Sequence, residues 1–117
     1  MEERTDLVVR AMRPEDLDAT LDMWVAACGG RIVGALVVDP ATGYLDQIVV
    51  ASEFQGRGVG ETLLAQVRSI APAGLELHVN QDNARAIGFY RKHGFAAVGA
   101  DVNPRSGAPT LRMRWRR

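Results

Sequence analysis

One cysteine, Cys28, in 117 residues excludes an intrachain disulfide and a thiolate metal cluster, and leaves that residue the part of a small apolar filler. Histidine is almost as scarce. His78 and His93 stand fifteen positions apart, which is not the spacing of a metal site, and no metal is expected. There is no excess of either charge: 14 basic residues cancel 14 acidic ones, so no global field steers the chain towards nucleic acid or anionic lipid. No uninterrupted apolar run approaches the ~20 residues of a membrane helix. The first twenty residues carry Glu2, Glu3, Asp6, Glu15, Asp16 and Asp18 and lack an apolar signal core. The expectation is a soluble, cytoplasmic protein without a nucleic-acid or membrane partner. Repeats and low-complexity tracts are absent too. A hydrophobic fraction of 47% suits one core, and the length suits one domain over residues 1–117.

The elements alternate in type. Leu7 to Ala11 reads as a first strand. Pro14-Glu15-Asp16 resembles a helix start, and Leu17, Leu21, Trp24 and Cys28 follow at helical spacing. Trp24-Val25-Ala26-Ala27 also fits a short strand turning through Gly29-Gly30, and periodicity alone leaves both readings open. Ile32 to Val38 is an apolar strand, Asp39 to Gly43 a turn, and Leu45 to Val50 a strand whose apolar end suggests burial on both faces. Val59, Leu63, Val67 and Ile70 mark one face of a helix. Leu75, Leu77 and Val79 alternate with Glu76, His78 and Asn80 in a strand. Asp82 or Asn83 caps the next helix, which carries Ala86, Ile87 and Tyr90 and stops at Gly94. Phe95 to Ala100 and Thr110 to Trp115 close the chain as strands. In the last of these Arg112, Arg114 and Arg116 share a face, either as a solvated edge or as help in holding a phosphate or an acidic partner. About three helices with a mixed β-sheet give an α/β, mixed α+β, fold class.

The chemistry concentrates between Leu45 and Leu64. A strand runs into Gln55-Gly56-Arg57-Gly58-Val59-Gly60, which opens a helix with Glu61 in its first turn. Glycines let backbone approach a ligand, and amides at a helix start are unpaired and sit at the positive end of the dipole. The product is an anion site suited to a pyrophosphate, to which Arg57 can add a charge-assisted hydrogen bond. The dinucleotide fingerprint G-x-G-x-x-G is not met, because the glycines fall at 56, 58 and 60, and no Gly-Lys-Ser/Thr follows as in a Walker loop. A tight strand-to-helix turn that binds nothing would use the same residues.

A second segment adds weight to the binding reading. Gln55 to Gly60 fits the Q/R-x-x-G-x-G/A loop of the GNAT family of N-acetyltransferases. Asn80-Gln81-Asp82-Asn83-Ala84-Arg85-Ala86-Ile87-Gly88-Phe89-Tyr90-Arg91-Lys92-His93-Gly94-Phe95 fits that family's N-x-x-A-x-x-x-Y-x-x-x-G-F pattern. The chain therefore resembles that family, closely over residues 45–98 and loosely elsewhere. The resemblance implies a mixed, mostly antiparallel sheet flanked by helices, and acetyl transfer from acetyl-CoA to a primary amine of a small molecule or peptide. It implies that the loop amides hold the CoA pyrophosphate, that the backbone of Ile48-Val49-Val50 pairs with the pantetheine arm, that Asn83 contacts that arm and that Tyr90 protonates the departing thiolate. Strand amides can also polarise the thioester carbonyl. A non-catalytic acyl-CoA-binding module is the alternative.

The base that deprotonates the amine is open at this level. His78 lies on the non-core side of its strand, and imidazole has a reference pKa of ~6.5. Asp46 and Glu76 are the other candidates, acting directly or through water. His93 reads as a cation at a helix C-terminus. The N-terminal half departs from the family pattern. Family members usually place two helices between the first two strands, whereas only residues 12 to 31 precede the strand at Ile32. The missing segment normally helps wall the acceptor site. Either the site is open or a partner supplies the wall, and Trp24, Trp115 and Met113 are the candidate contacts of a homodimer.

Overall fold

The computed structural model describes residues 7–71 and 73–117. Seven strands form one sheet: β1 Leu7–Met12, β2 Asp22–Cys28, β3 Arg31–Asp39, β4 Tyr44–Val50, β5 Gly74–Asn80, β6 Ala96–Val102 and β7 Pro109–Arg116. Helix α1, Val59–Ile70, lies between β4 and β5 in the chain, and α2, Ala84–Lys92, between β5 and β6. The spatial order is β1-β2-β3-β4-β5-β7-β6. Every neighbouring pair is antiparallel except β4 and β5. The mixed, mostly antiparallel sheet expected from the sequence is the one found.

The N-terminal helix is not. Residues 13–21 form turns, with Leu17 N–H donating to Pro14 O at 3.1 Å and Leu21 N–H to Asp18 O at 3.0 Å. The run Asp22–Cys28 is instead a strand paired with β1 on one side and β3 on the other. Tertiary pairing overrides the helical spacing for a physical reason. Val25 and Ala26 point to opposite faces and are both fully buried, which a continuous apolar run in a central strand allows and a one-sided helix does not. Among the described residues two helices, α1 and α2, and a single 3-10 turn at Ser52–Phe54 stand where about three helices were expected.

Both helices pack on one face of the sheet. Val59, Leu63, Leu64 and Val67 of α1 join Leu36, Leu45, Leu75, Leu77, Val79, Tyr90, Phe95 and Met113 in one buried cluster. A Cβ on Gly60 of α1 would lie 3.2 Å from the Phe89 ring of α2, so the helices touch there. Ile70 departs from the expected face and is exposed, whereas Leu64 is buried. On the other face no helix lies among the described residues, and Val8 and Val49 are exposed. The expectation that β4 is buried on both faces therefore fails at Val49. Strand β7 is not an edge, since it sits between β5 and β6, and two of its arginines meet acids of this same chain. Arg114 Nη2 lies 2.8 Å from Glu76 Oε1, and Arg112 Nε 3.9 Å from Asp101 Oδ2. Met113 is in the core, Trp24 packs against it, and Trp115 packs beneath the Arg68 guanidinium at 4.8 Å. Met113 is fully buried, while Trp24 and Trp115 are half-buried.

Candidate active site

The site begins where the sheet comes apart. Strands β4 and β5 share one bridge, Tyr44 with Glu76, reinforced by Glu76 N–H donating to Gly43 O at 3.0 Å. Gly43 makes that contact possible. Its φ is 79°, and a Cβ there would collide with the Gly74 carbonyl. Just beyond the bridge the β3–β4 register shifts at Val37/Val38, so that Leu45 and Gln47 pair on either side of an extra residue, Asp46. A bulge of this kind bends a strand, and here β4 leaves β5.

The gap holds a cavity of about 310 Å³ that passes between the strands. Asn83, Ala86 and Tyr90 of the α2 region line it on the helix side. His78, which alternates with the core residues Leu77 and Val79, lines it on the other. Asp46, Gln47 and Ile48 form the β4 wall. Ala51 N–H donates to Val33 O at 2.8 Å, so alternation along the strand aims the backbone N–H and C=O groups of Ile48 and Val50 into the gap. The side chain of Val49 points to the helix-free face and is 52% exposed.

The glycine loop lies past the end of β4. Gly58 is the N-cap of α1 with φ 83°, in a conformation that suits glycine, and no side chain caps the helix. The first intrahelical donor is Thr62 N–H, to Gly58 O at 3.0 Å. The amides of Val59, Gly60 and Glu61 before it have no acceptor among the described residues, as helix geometry requires. A Cβ at Gly56 or Gly58 would meet nothing within 4 Å, so the loop surface is open to a ligand. Gln55 and Arg57 are exposed. The Arg57 guanidinium lies 5.4 Å from the centre of the Phe54 ring, with that of Arg31 5.7 Å away.

Tyr90 is buried, with its ring edge-on to Phe89 and Phe95 at 5.4 Å each. Burial pushes the phenol up to about 12, so it is a neutral donor at pH 7. Asn83 Oδ1 accepts from Ala86 N–H at 3.1 Å, which settles the cap of α2 and fixes that side chain at the cavity. His93 stands at the C-cap of α2, 3.6 Å from Glu61. His78 is held at both nitrogens, by Tyr44 Oη at 2.8 Å and by Asp101 Oδ2 at 3.0 Å. Sequence reasoning missed Tyr44 and Asp101. Neither belongs to a local motif, and they stand 34 and 23 residues from His78 in the chain. The other candidate carboxylate, Glu76, is taken up by Arg114, whose Nε and Nη2 both donate to its Oε1.

A split between two parallel strands, unpaired helix amides beyond its end and a neutral phenol inside come together in one site: anion donors at the mouth of a cleft that holds a proton donor. The sequence model of the Acetyltransferase (GNAT) family matches residues 1–95. The chain belongs to that family. It is 32% identical over 111 residues to peptidyl-lysine N-acetyltransferase YjaB of Escherichia coli, covering 92% of this chain and 70% of that protein. It is 40% identical over 84 residues to mycothiol acetyltransferase of Saccharomonospora viridis, covering 68% of this chain and 24% of that one. It spans 45% of the YjaB protein of Salmonella typhimurium, less than half that relative's length. The IAA acetyltransferase of Bacillus cereus superposes with a TM-score of 0.82 over 96% of this chain and 100% of that one, at 17% identity, a likeness of fold.

Proposed function

We propose that the chain moves an acetyl group from acetyl-CoA to a primary amine by direct attack of the amine on the thioester. The observation that carries this reading is the gap between β4 and β5, with Tyr90 on one side and His78 on the other. At its end, the amides of Gly56 and of Gly58 to Glu61 hold the pyrophosphate, Gln55 and Arg57 flank it, and within the gap Ile48 and Val50 pair their backbones with the pantetheine arm. Val49 lies between those two residues and contributes backbone alone. Asn83 meets the arm from the α2 side. The strand amides stabilise the oxyanion as the amine adds. The neutral Tyr90 phenol gives its proton to the departing thiolate. His78 is the final acceptor of the amine proton, with Asp46, a carboxylate without an ion pair among the described residues, on the same cavity.

Relatives are named peptidyl-lysine N-acetyltransferase and mycothiol acetyltransferase, which supports a peptide or small-molecule amine as the acceptor. The acceptor enters from the helix-free face, where Val49 is exposed. The proposal includes a cytoplasmic setting and a second copy of the chain as cover for that face. A panel of primary amines, including a lysine peptide and an amino sugar, tests the activity: free thiol should appear only when both acetyl-CoA and an amine are present. If acetyl-CoA binds and no amine releases thiol, the acyl-CoA-binding alternative replaces this reading.

A further inference from the structure

Neither ring nitrogen of His78 is free to meet a substrate. Nδ1 lies 2.8 Å from Tyr44 Oη and Nε2 lies 3.0 Å from Asp101 Oδ2. Three strands supply the chain: Tyr44 opens β4 at its bridge to β5, His78 stands two residues beyond the partner of Tyr44 on β5, and Asp101 is on β6. Asp101 is a carboxylate and can only accept, so Nε2 carries the hydrogen and Nδ1 is the acceptor. The Tyr44 hydroxyl then donates to Nδ1. Its oxygen keeps lone pairs that nothing among the described residues occupies, and it lies on the helix-free face of the sheet, from which an acceptor would arrive.

We propose that Tyr44, His78 and Asp101 form a proton relay in which the Tyr44 hydroxyl is the group that meets the acceptor amine. This rests on the acetyl-transfer reading above and names the route of its proton. An N–H bond of the substrate ammonium breaks as a new O–H bond forms on Tyr44. The original Tyr44 O–H bond breaks as an N–H bond forms at His78 Nδ1. Tyr44 stays neutral throughout, the imidazole becomes imidazolium beside the Asp101 carboxylate, and the neutral amine attacks. The imidazolium then returns its proton to water, since the His78 side chain is 35% exposed. Tyr44 is the catalytic residue here, and His78 and Asp101 act through it. Burial, and then the carboxylates Asp46 and Glu76, raise the Tyr44 phenol above its usual value, which keeps it a donor to His78. The charged and titratable groups around the imidazole are Tyr44 and Asp46 from β4, Glu76 from its own strand, Asp101 from β6, and Arg112 and Arg114 from β7, with Arg112 3.9 Å from Asp101.

Two measurements test the relay. The first needs no substrate. Nitrogen-15 spectra of the imidazole in its neutral form should show His78 as the Nε2–H tautomer, and Tyr44→Phe should move its Nδ1 resonance. An Nδ1–H tautomer overturns the assignment. The second uses whichever primary amine the wild type acetylates. Tyr44→Phe keeps the ring and should lower kcat/KM for the amine by ~10²-fold, with acetyl-CoA affinity unchanged. Asp101→Asn should weaken the preference of His78 for the Nε2–H tautomer in the same nitrogen-15 spectra, because an amide can donate as well as accept. If the wild type transfers acetyl groups and Tyr44→Phe does so equally well, the relay fails while the acetyl-transfer reading stands. A wild type inert on every amine defeats both.

Discussion

Replacing Tyr90 by phenylalanine deletes one oxygen and leaves the rest of a tightly held ring. The ring is 7% exposed and is fixed edge-on by Phe89 and Phe95. Those contacts survive the substitution, so at neutral pH stability should change by less than about 1 kcal/mol. The alkaline range is different. The folded phenol titrates near 12 and the unfolded one near the ordinary 10.0. Between these values the unfolded chain binds fewer protons than the folded chain, so stability falls as pH rises. A difference of that size amounts to about 2–3 kcal/mol once pH 12 is reached. The variant lacks the titration and should keep that stability. Urea unfolding of both proteins at pH 7, 10 and 11.5 measures it, with the wild type losing more than the variant above pH 10. On an accepted amine, Tyr90→Phe should also reduce kcat by ~10²-fold with little change in acetyl-CoA affinity. Equal alkaline losses in the two proteins would refute the burial argument. Unimpaired turnover would remove Tyr90 from the proton path.

Other consequences follow from packing and assembly. Leu63 is fully buried in the middle of α1, and Leu63→Ala should cost about 2–5 kcal/mol in chemical denaturation. Gly43→Ala drives a Cβ into the Gly74 carbonyl at φ 79°, so it should destabilise by more than about 1 kcal/mol and loosen the single β4–β5 bridge, visible as faster amide exchange at Glu76. Sedimentation at micromolar concentration should show a dimer if a second copy covers Val8 and Val49, whereas a stable monomer would remove that part of the proposal.

The parts of the site that depend on neighbours in the chain were legible in the sequence. Gly56 and Gly58 signal an uncapped helix start through their own stereochemistry, and Asn83 signals a cap three residues before the amide it accepts from. Tyr90 follows Asn83 by two helical turns and so reaches the same cavity. The strand around Trp24 was ambiguous because Trp24-Val25-Ala26-Ala27 is apolar at every position and fits either period. What resolves it is pairing with β1 and β3, a property of the fold rather than of the segment. Ile70 keeps the helical spacing yet falls at the exposed last residue of α1, beyond the sheet. Val49 looks like a buried strand residue and is open because the other face has no helix over it among the described residues. The Tyr44–His78–Asp101 chain is the extreme case. It is a matter of register between β4, β5 and β6, and no local spacing encodes it.

The central claim is that the loop Gln55 to Gly60 and the first turn of α1 hold the pyrophosphate of acetyl-CoA, and calorimetric titration tests it most directly. Gly58→Asp is the informative partner to the wild type because its two effects have opposite signs. Aspartate is a favoured N-cap and stands at the positive end of α1, which offsets part of the strain of φ 83°, so the fold should survive. The same carboxylate puts a negative charge where the pyrophosphate sits, so binding should weaken by at least ~10-fold. The account predicts saturable binding of acetyl-CoA to the wild type and its near loss in a folded Gly58→Asp variant. A wild type that takes up no heat at millimolar acetyl-CoA, or a variant that binds equally well, would contradict it.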